Sequence, residues 1–222
     1  MKTQIPEWAR KFLEENYNHD SLTPERRKAL ERCAIHVLND EQLKRNENLR
    51  NGAVRLIVAL LPKTFSALEK LLSDCSTPLW YEVHFVAFNS LDRSDLSETD
   101  QMRVLALVEQ YLMNAKSEAG FAAWKAGDML GDEWYTPETL RILEKLVLSA
   151  RYVAGRKGAL HGIQHAMTEV PPSEKERLLS LVRQVASDDP SAEVRDYATY
   201  TLKDGGCARS PQKAMPQPET RV

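Results

Sequence analysis

The chain has 222 residues, with 30 Lys and Arg against 32 Asp and Glu, and its formal net charge is −2. This near balance lacks the basic excess typical of nucleic-acid-binding proteins. A composition of 42% hydrophobic and 28% charged residues argues against global disorder and against a disulfide-rich secreted scaffold. The longest apolar run, around residues 56 to 61, is far shorter than a membrane span. The three cysteines lack the spacing of zinc or thiol-redox motifs, so we expect a cytoplasmic protein with no membrane partner.

Signals for helix starts recur along the chain. Four residues that cap helices well stand directly before a proline, as is typical of a helix N-terminus. These are Thr23, Thr77, Thr136 and Asp189. Ser97 and Ser173 are each followed three residues later by an acidic residue, which indicates capping boxes. Because the apolar residues between these starts follow helical spacing, we predict an all-α protein of about ten to twelve helices.

A triplet pattern with a small residue at its centre recurs five times, and its members are four residues apart. The triplets are Leu49/Ala53/Ile57, Val83/Ala87/Leu91, Ala122/Ala126/Leu130, Gly155/Ala159/Ile163 and Val194/Ala198/Leu202. The last members of successive triplets are 33 to 39 residues apart, which is enough for two helices and two short turns. This period is typical of an α-solenoid, in which the small residues allow neighbouring helices to approach closely.

The last copy, residues 189 to 198, resembles the second helix of a HEAT repeat. It has an aspartate before the helix and then Val194-Arg195 followed by a small residue, and Leu49-Arg50 begins a similar segment. The resemblance covers about residues 40 to 203 and implies a right-handed α-solenoid of about five HEAT-like helical hairpins.

In HEAT repeats, arginines at the positions of Arg50 and Arg195 bridge neighbouring repeats. The resemblance therefore implies that these two side chains pair with a turn carboxylate such as Asp189. We expect residues 1–203 to form a single solenoid domain. Residues 204–222 are rich in Gly and Pro and contain few apolar groups, so we expect a disordered C-terminal tail.

The resemblance also implies that the second helix of each hairpin lines a concave surface. We call the three members of each triplet its anchors. Residues two and six positions after the first anchor are then expected to face this surface. They form two rows: Asn51, Phe85, Trp124, Lys157 and Asp196, and then Arg55, Asn89, Asp128, His161 and Tyr200. The simpler interpretation is a mixed solvated face with some packed aromatic residues. Exposed aromatic rings instead favour a binding groove, for which the candidate residues are Arg55, Phe85, Phe88, Asn89, Trp124, Asp128, Lys157, His161 and Tyr200.

The sequence contains no Gly-rich phosphate loop, nucleophile elbow or His-Glu-x-x-His motif. We therefore predict a non-catalytic binding or adaptor protein that uses the concave groove to bind a protein partner. We expect no cofactor and no metal. Nucleic acid is a less favoured partner because the chain is nearly neutral.

A second resemblance supports an alternative function, that of a DNA glycosylase acting on alkylated bases. Trp124 and Asp128 match the Trp-x-x-x-Asp of HEAT-like alkylpurine DNA glycosylases. The resemblance implies that Asp128 would be catalytic and would stabilise positive charge on the sugar. Arg156 or Lys157 stands near that family's phosphate-binding arginine, and Tyr200 replaces its second tryptophan.

His161 and His165 are four residues apart and could ligate one metal ion, with Asp128 as a third ligand. The glutamate of a hydrolytic motif is absent between the two histidines. This absence favours packing or surface roles for them.

Overall fold

The computed structural model describes residues 5–15, 22–74, 80–94 and 96–203. Within these ranges it contains eleven α-helices and no strand, which confirms the all-α prediction. The helices are α1 (Glu7–Glu15), α2 (Pro24–Asn39), α3 (Glu47–Ala59), α4 (Phe65–Ser73), α5 (Trp80–Ser90), α6 (Glu98–Asn114), α7 (Gly120–Gly131), α8 (Pro137–Ser149), α9 (Val153–Ala166), α10 (Pro172–Asp188) and α11 (Ala192–Lys203). Among them, no helix has the length and apolar character that crossing a membrane requires. The predicted tail, residues 204–222, and the predicted helix start at Thr77 lie outside the described residues.

Three of the predicted helix starts are confirmed. Thr23 caps α2 by accepting from the backbone N–H of Arg26, and Ser97 caps α6 in the same way. Thr136 caps α8 and forms a reciprocal capping box with Thr139. In each case the side-chain oxygen satisfies a backbone donor that the helix itself leaves unpaired.

The other two predicted starts are wrong in detail. The carboxylate of Asp189 accepts from the backbone N–H of Ser191 at 2.8 Å, and α11 begins only at Ala192. Ser173 lies inside α10, which already begins at Pro172, so no capping box forms there. Proline is well suited to the first helical position because its φ is already fixed at a helical value.

The helices pack in an order that follows the chain. The odd-numbered helices contact each other in series from α1 to α11, and each of α3, α5, α7, α9 and α11 also contacts the even-numbered helix before it. Contacts between α4 and α6 and between α6 and α8 connect the even-numbered helices. A single cluster of buried apolar residues extends from Ala9 in α1 to Ala198 in α11. The odd-numbered helices therefore form one continuous series, which carries the candidate site.

The five sequence triplets lie on α3, α5, α7, α9 and α11 or directly after them. Their central alanines are completely buried, and every other anchor residue is buried except Leu202, which is partly buried. The pattern therefore marks the buried faces along which the odd-numbered helices pack against their neighbours, and we call these packed faces the seams.

The pair α7 and α9 packs with backbone against backbone. A Cβ atom added to Gly127 would lie 1.9 Å from the carbonyl oxygen of Gly158, and one added to Gly131 would lie 2.0 Å from that of Gly162. Real Cβ contacts are never this short, so any larger side chain would force the helices apart. Because glycine has no side chain, these positions allow α7 and α9 to approach closely, which brings the functional side chains of the two helices near each other.

Three arginines at equivalent positions of the triplets make contacts outside their own helices. Arg50, Arg156 and Arg195 each follow the first anchor of a triplet, and each donates from Nη1 to the backbone carbonyl six residues earlier, at 3.1, 2.9 and 2.6 Å. Arg50 also pairs with Glu82 of α5. The expected pairing of Arg195 with the Asp189 carboxylate is wrong, because that carboxylate lies 2.8 Å from Nε of Arg156. Arg156 therefore has a structural partner in the turn before α11.

The packing of the seams makes a prediction for Ala126, which is completely buried in α7. Replacing Ala126 with leucine should overpack the seam and lower the free energy of unfolding by about 1–3 kcal/mol. The same replacement at Ala106, which is exposed on α6, is the matched control and should have little effect. Urea unfolding monitored by circular dichroism measures both variants. Equal stability of the two would show that the seam is not where the triplets indicate.

Candidate functional site

The predicted surface rows lie on one series of helices. Asn51 and Arg55 are on α3, Phe85 and Asn89 on α5, Trp124 and Asp128 on α7, Lys157 and His161 on α9, and Asp196 and Tyr200 on α11. Most of these residues are exposed or partly buried, while His161 is buried, with 3% of its surface exposed. Phe88 has no exposed surface and packs against the Tyr111 ring at 4.9 Å. Phe88 therefore belongs to the core rather than to the candidate groove.

An aromatic ladder crosses three of these helices. The Phe85 ring of α5 stacks on the Phe121 ring of α7, with 4.4 Å between centroids. Phe121 is nearly parallel to Trp124 at 6.4 Å, and Trp124 stacks on the His161 ring of α9 at 3.9 Å. Phe121 is 40% exposed although it is a large apolar residue. We refer to these four residues as the aromatic ladder.

A polar cluster lies directly beside the His161 end of the ladder. Nε2 of His165 is 3.2 Å from Nε2 of His161 and 3.3 Å from Oδ1 of Asp128. Nδ1 of His161 lies 3.0 Å from the Tyr197 hydroxyl of α11. The other carboxylate oxygen of Asp128 accepts from Lys125 at 2.7 Å. These contacts join α7, α9 and α11 in one connected network.

Burial shapes the charge of this cluster. Burial disfavours the imidazolium form of His161, and the electrostatic influence of the adjacent His165 acts in the same direction, so the pKa of His161 falls to about 3. His161 is therefore neutral at neutral pH. Burial also disfavours the charged form of Lys125, but hydrogen bonds from Lys125 to Asp128 and Glu133 outweigh this effect and raise its pKa. Lys125 thus stays positively charged and holds the Asp128 carboxylate.

A depression of about 300 Å³ lies at the Phe85 end of the ladder, between α3, α5 and α7. It is lined by the residues Glu47, Arg50, Asn51, Arg55, Tyr81, Glu82, Phe85, Val86, Asn89 and Phe121. The structure therefore brings the predicted residues Arg55, Phe85 and Asn89 together at one depression.

The predicted residues on the last helices lie farther along the series. Nζ of Lys157 is 3.7 Å from a carboxylate oxygen of Glu193. Tyr200 is exposed, and its ring stacks on Tyr197 at 6.2 Å rather than on the aromatic ladder. Tyr200 is thus connected to the polar cluster through Tyr197.

Three residues of the site were not predicted from the sequence. Phe121 lies three residues before Trp124 and hence on the same helical face, a signal that the sequence contains. Lys125 lies three residues before Asp128 on α7, so the sequence contains this signal too. The contact of Tyr197 with His161 depends on how α9 and α11 lie relative to each other. No pattern within a single helix indicates the contact of Tyr197.

Comparisons with protein-family models, curated proteins and solved structures yield no match to this chain. The functional argument therefore relies on the contacts of the site itself.

Proposed function

We propose that the chain is a HEAT-like α-solenoid of the cytoplasm that acts as an adaptor, and that it binds a protein partner through the face of its odd-numbered helices. The observation that carries this proposal is the aromatic ladder, in which the exposed ring of Phe121 lies beside a depression. Aromatic residues at the centre of a surface provide most of the binding energy in many protein interfaces. The series of helix contacts, the buried triplets and the arginines of α3, α9 and α11 support the solenoid.

The chemistry of the face indicates which partner segment fits. Phe121 offers a flat apolar ring, and the depression next to it combines aromatic side chains with the amides of Asn51 and Asn89. A peptide segment whose aromatic or arginine side chain stacks on Phe121 could donate or accept hydrogen bonds at these amides. Arg55, which is exposed at the rim, would complement an acidic residue of the same segment.

Several contacts favour a protein over DNA as the partner. Two cations on this face already have carboxylate partners: Lys125 pairs with Asp128, and Lys157 pairs with Glu193. Arg156, which the glycosylase resemblance places near a phosphate, is paired with Asp189 and largely buried. Binding to a DNA backbone relies on cations that neutralise phosphates. The carboxylate of Asp128 is itself held by Lys125 and His165, which reduces its capacity to stabilise a developing positive charge.

Replacing Phe121 with alanine should raise the dissociation constant for the partner about 30-fold, since losing a central aromatic anchor costs about 2 kcal/mol. Trp124→Ala should have a similar effect, and Asp128→Asn a smaller one. To find the partner, the full chain is immobilised and incubated with native lysate, and the retained protein is identified and purified. Calorimetric titration of this partner against the wild type and each variant then gives the dissociation constants.

Met102→Ala is the matched control for this experiment, because Met102 is a large apolar residue on α6 and is 54% exposed. The control should bind like the wild type. If Phe121→Ala and Trp124→Ala retained wild-type affinity, the face would not be the binding site. A base-release assay on alkylated duplex DNA runs in parallel, and release by the wild type but not by Asp128→Asn would favour the glycosylase alternative instead.

A further inference from the structure

The polar cluster has the geometry of a set of metal ligands. Asp128, His161 and His165 each place one ligand atom within 4.8 Å of the other two. His165 Nε2 is 3.2 Å from His161 Nε2 and 3.3 Å from Asp128 Oδ1. Ligand atoms bound to a tetrahedral zinc ion at 2.0–2.1 Å lie about 3.3 Å from one another. Both of these separations are close to this value.

The outer atoms of His161 and Asp128 have hydrogen-bond partners, and that of His165 has a carboxylate nearby. His161 Nδ1 is 3.0 Å from the Tyr197 hydroxyl, and His165 Nδ1 is 3.8 Å from a carboxylate oxygen of Asp132. Asp128 Oδ2 accepts from Lys125. Such partners fix the orientation of a ligand and leave its inner atom directed at the metal.

At most one of the two contacts of His165 Nε2 can be a well-directed hydrogen bond. His165 Nε2 faces both His161 Nε2 and Asp128 Oδ1, and a neutral imidazole nitrogen carries at most one hydrogen. A single hydrogen cannot point at both acceptors with good geometry. A cation at the centre would instead accept a lone pair from each of the three atoms.

We propose that Asp128, His161 and His165 bind one divalent transition-metal ion, of which zinc best fits the spacing and the ligand types. Imidazole nitrogens with a carboxylate are common zinc ligands, and three protein ligands leave a fourth coordination position open. Such an open position would accept water or a donor group from a bound molecule. The pairing of Trp124 with His161 would then connect the metal to the aromatic ladder.

Zinc titration of the full chain tests this proposal. The protein is treated with chelator, desalted and titrated with zinc chloride by isothermal calorimetry. We expect one ion per chain, and a loss of affinity of about a hundredfold or more in His165→Ala and in Asp128→Asn. Tyr197→Phe should lose about tenfold, the size expected when a partner of a ligand is removed. His36→Ala, a histidine on α2, is the control and should bind zinc like the wild type.

Two further readouts keep the test independent of folding defects. Zinc should raise the melting temperature of the wild type but not that of His165→Ala. Cobalt(II) added to the wild type should give the intense visible absorption of a tetrahedral site. Absence of stoichiometric zinc binding by the wild type, or wild-type affinity in both His165→Ala and Asp128→Asn, would overturn the proposal. The chain is tested without a partner, so either result leaves the proposed partner binding to its own experiment.

Discussion

Replacing Arg156 with methionine should lower the free energy of unfolding by about 3–5 kcal/mol, the loss typical of removing one member of a buried ion pair. The side chains of Arg156 and Asp189 are only 12% and 5% exposed. Without the guanidinium, the carboxylate of Asp189 would stay buried with no compensating charge, and the carbonyl of Ala150 would lose a donor. Urea unfolding at neutral pH measures the difference.

The surface pair of Arg183 with Glu176 provides the control, since both side chains are more than half exposed. Arg183→Met should change stability by less than about 1 kcal/mol. Adding Asp189→Asn to Arg156→Met should recover part of the loss, because it removes the uncompensated charge and leaves an acceptor for the N–H of Ser191. Equal effects of Arg156→Met and Arg183→Met would contradict the role of Arg156 in connecting α9 to the turn before α11.

Replacing Gly127 with alanine should destabilise the protein by about 3 kcal/mol, the upper end of the usual range for overpacking. The new Cβ would lie 1.9 Å from the carbonyl oxygen of Gly158, and backbone cannot rotate away as a flexible side chain can. The helices α7 and α9 would have to separate, which would also move Asp128 away from His165. We therefore expect weaker zinc binding by this variant as well as a lower melting temperature.

Gly120→Ala is the matched control because Gly120 begins the same helix and a Cβ there would meet nothing within 4 Å. Alanine favours helix over glycine by up to about 1 kcal/mol, so this variant should be as stable as the wild type or slightly more stable. A Gly127→Ala protein as stable as Gly120→Ala would show that α7 and α9 are not in backbone contact.

Much of the helical architecture could be predicted because helix periodicity and capping are local properties. The triplet of Ala122, Ala126 and Leu130 occupies one face of one helix, and the structure buries all three. The two errors in helix starts, at Asp189 and Ser173, are also local, and they arise where proline or a side-chain contact shifts the first turn. The solenoid and its handedness remain predictions.

The candidate site could be predicted only in part, since its contacts span several helices. The helical spacing of His161 and His165 indicates that they share a face, but their distance from Asp128 depends on how closely α7 approaches α9. Gly127 and Gly158 allow the two helices to come this close. The sequence contains a signal for this contact, because both helices carry small residues there. Arg156 follows the first anchor of its triplet, as Arg50 and Arg195 do. The structural role of Arg156 could therefore have been predicted from the sequence.

The central claim is that the partner covers the aromatic ladder, and hydroxyl-radical footprinting of the purified complex tests it most directly. We expect the partner to protect Phe121 and Trp124 from modification, while Met102 on α6 remains as reactive as in the chain alone. Protection of Met102 with unchanged reactivity at Phe121 and Trp124 would contradict the account, because it would place the partner on the even-numbered helices.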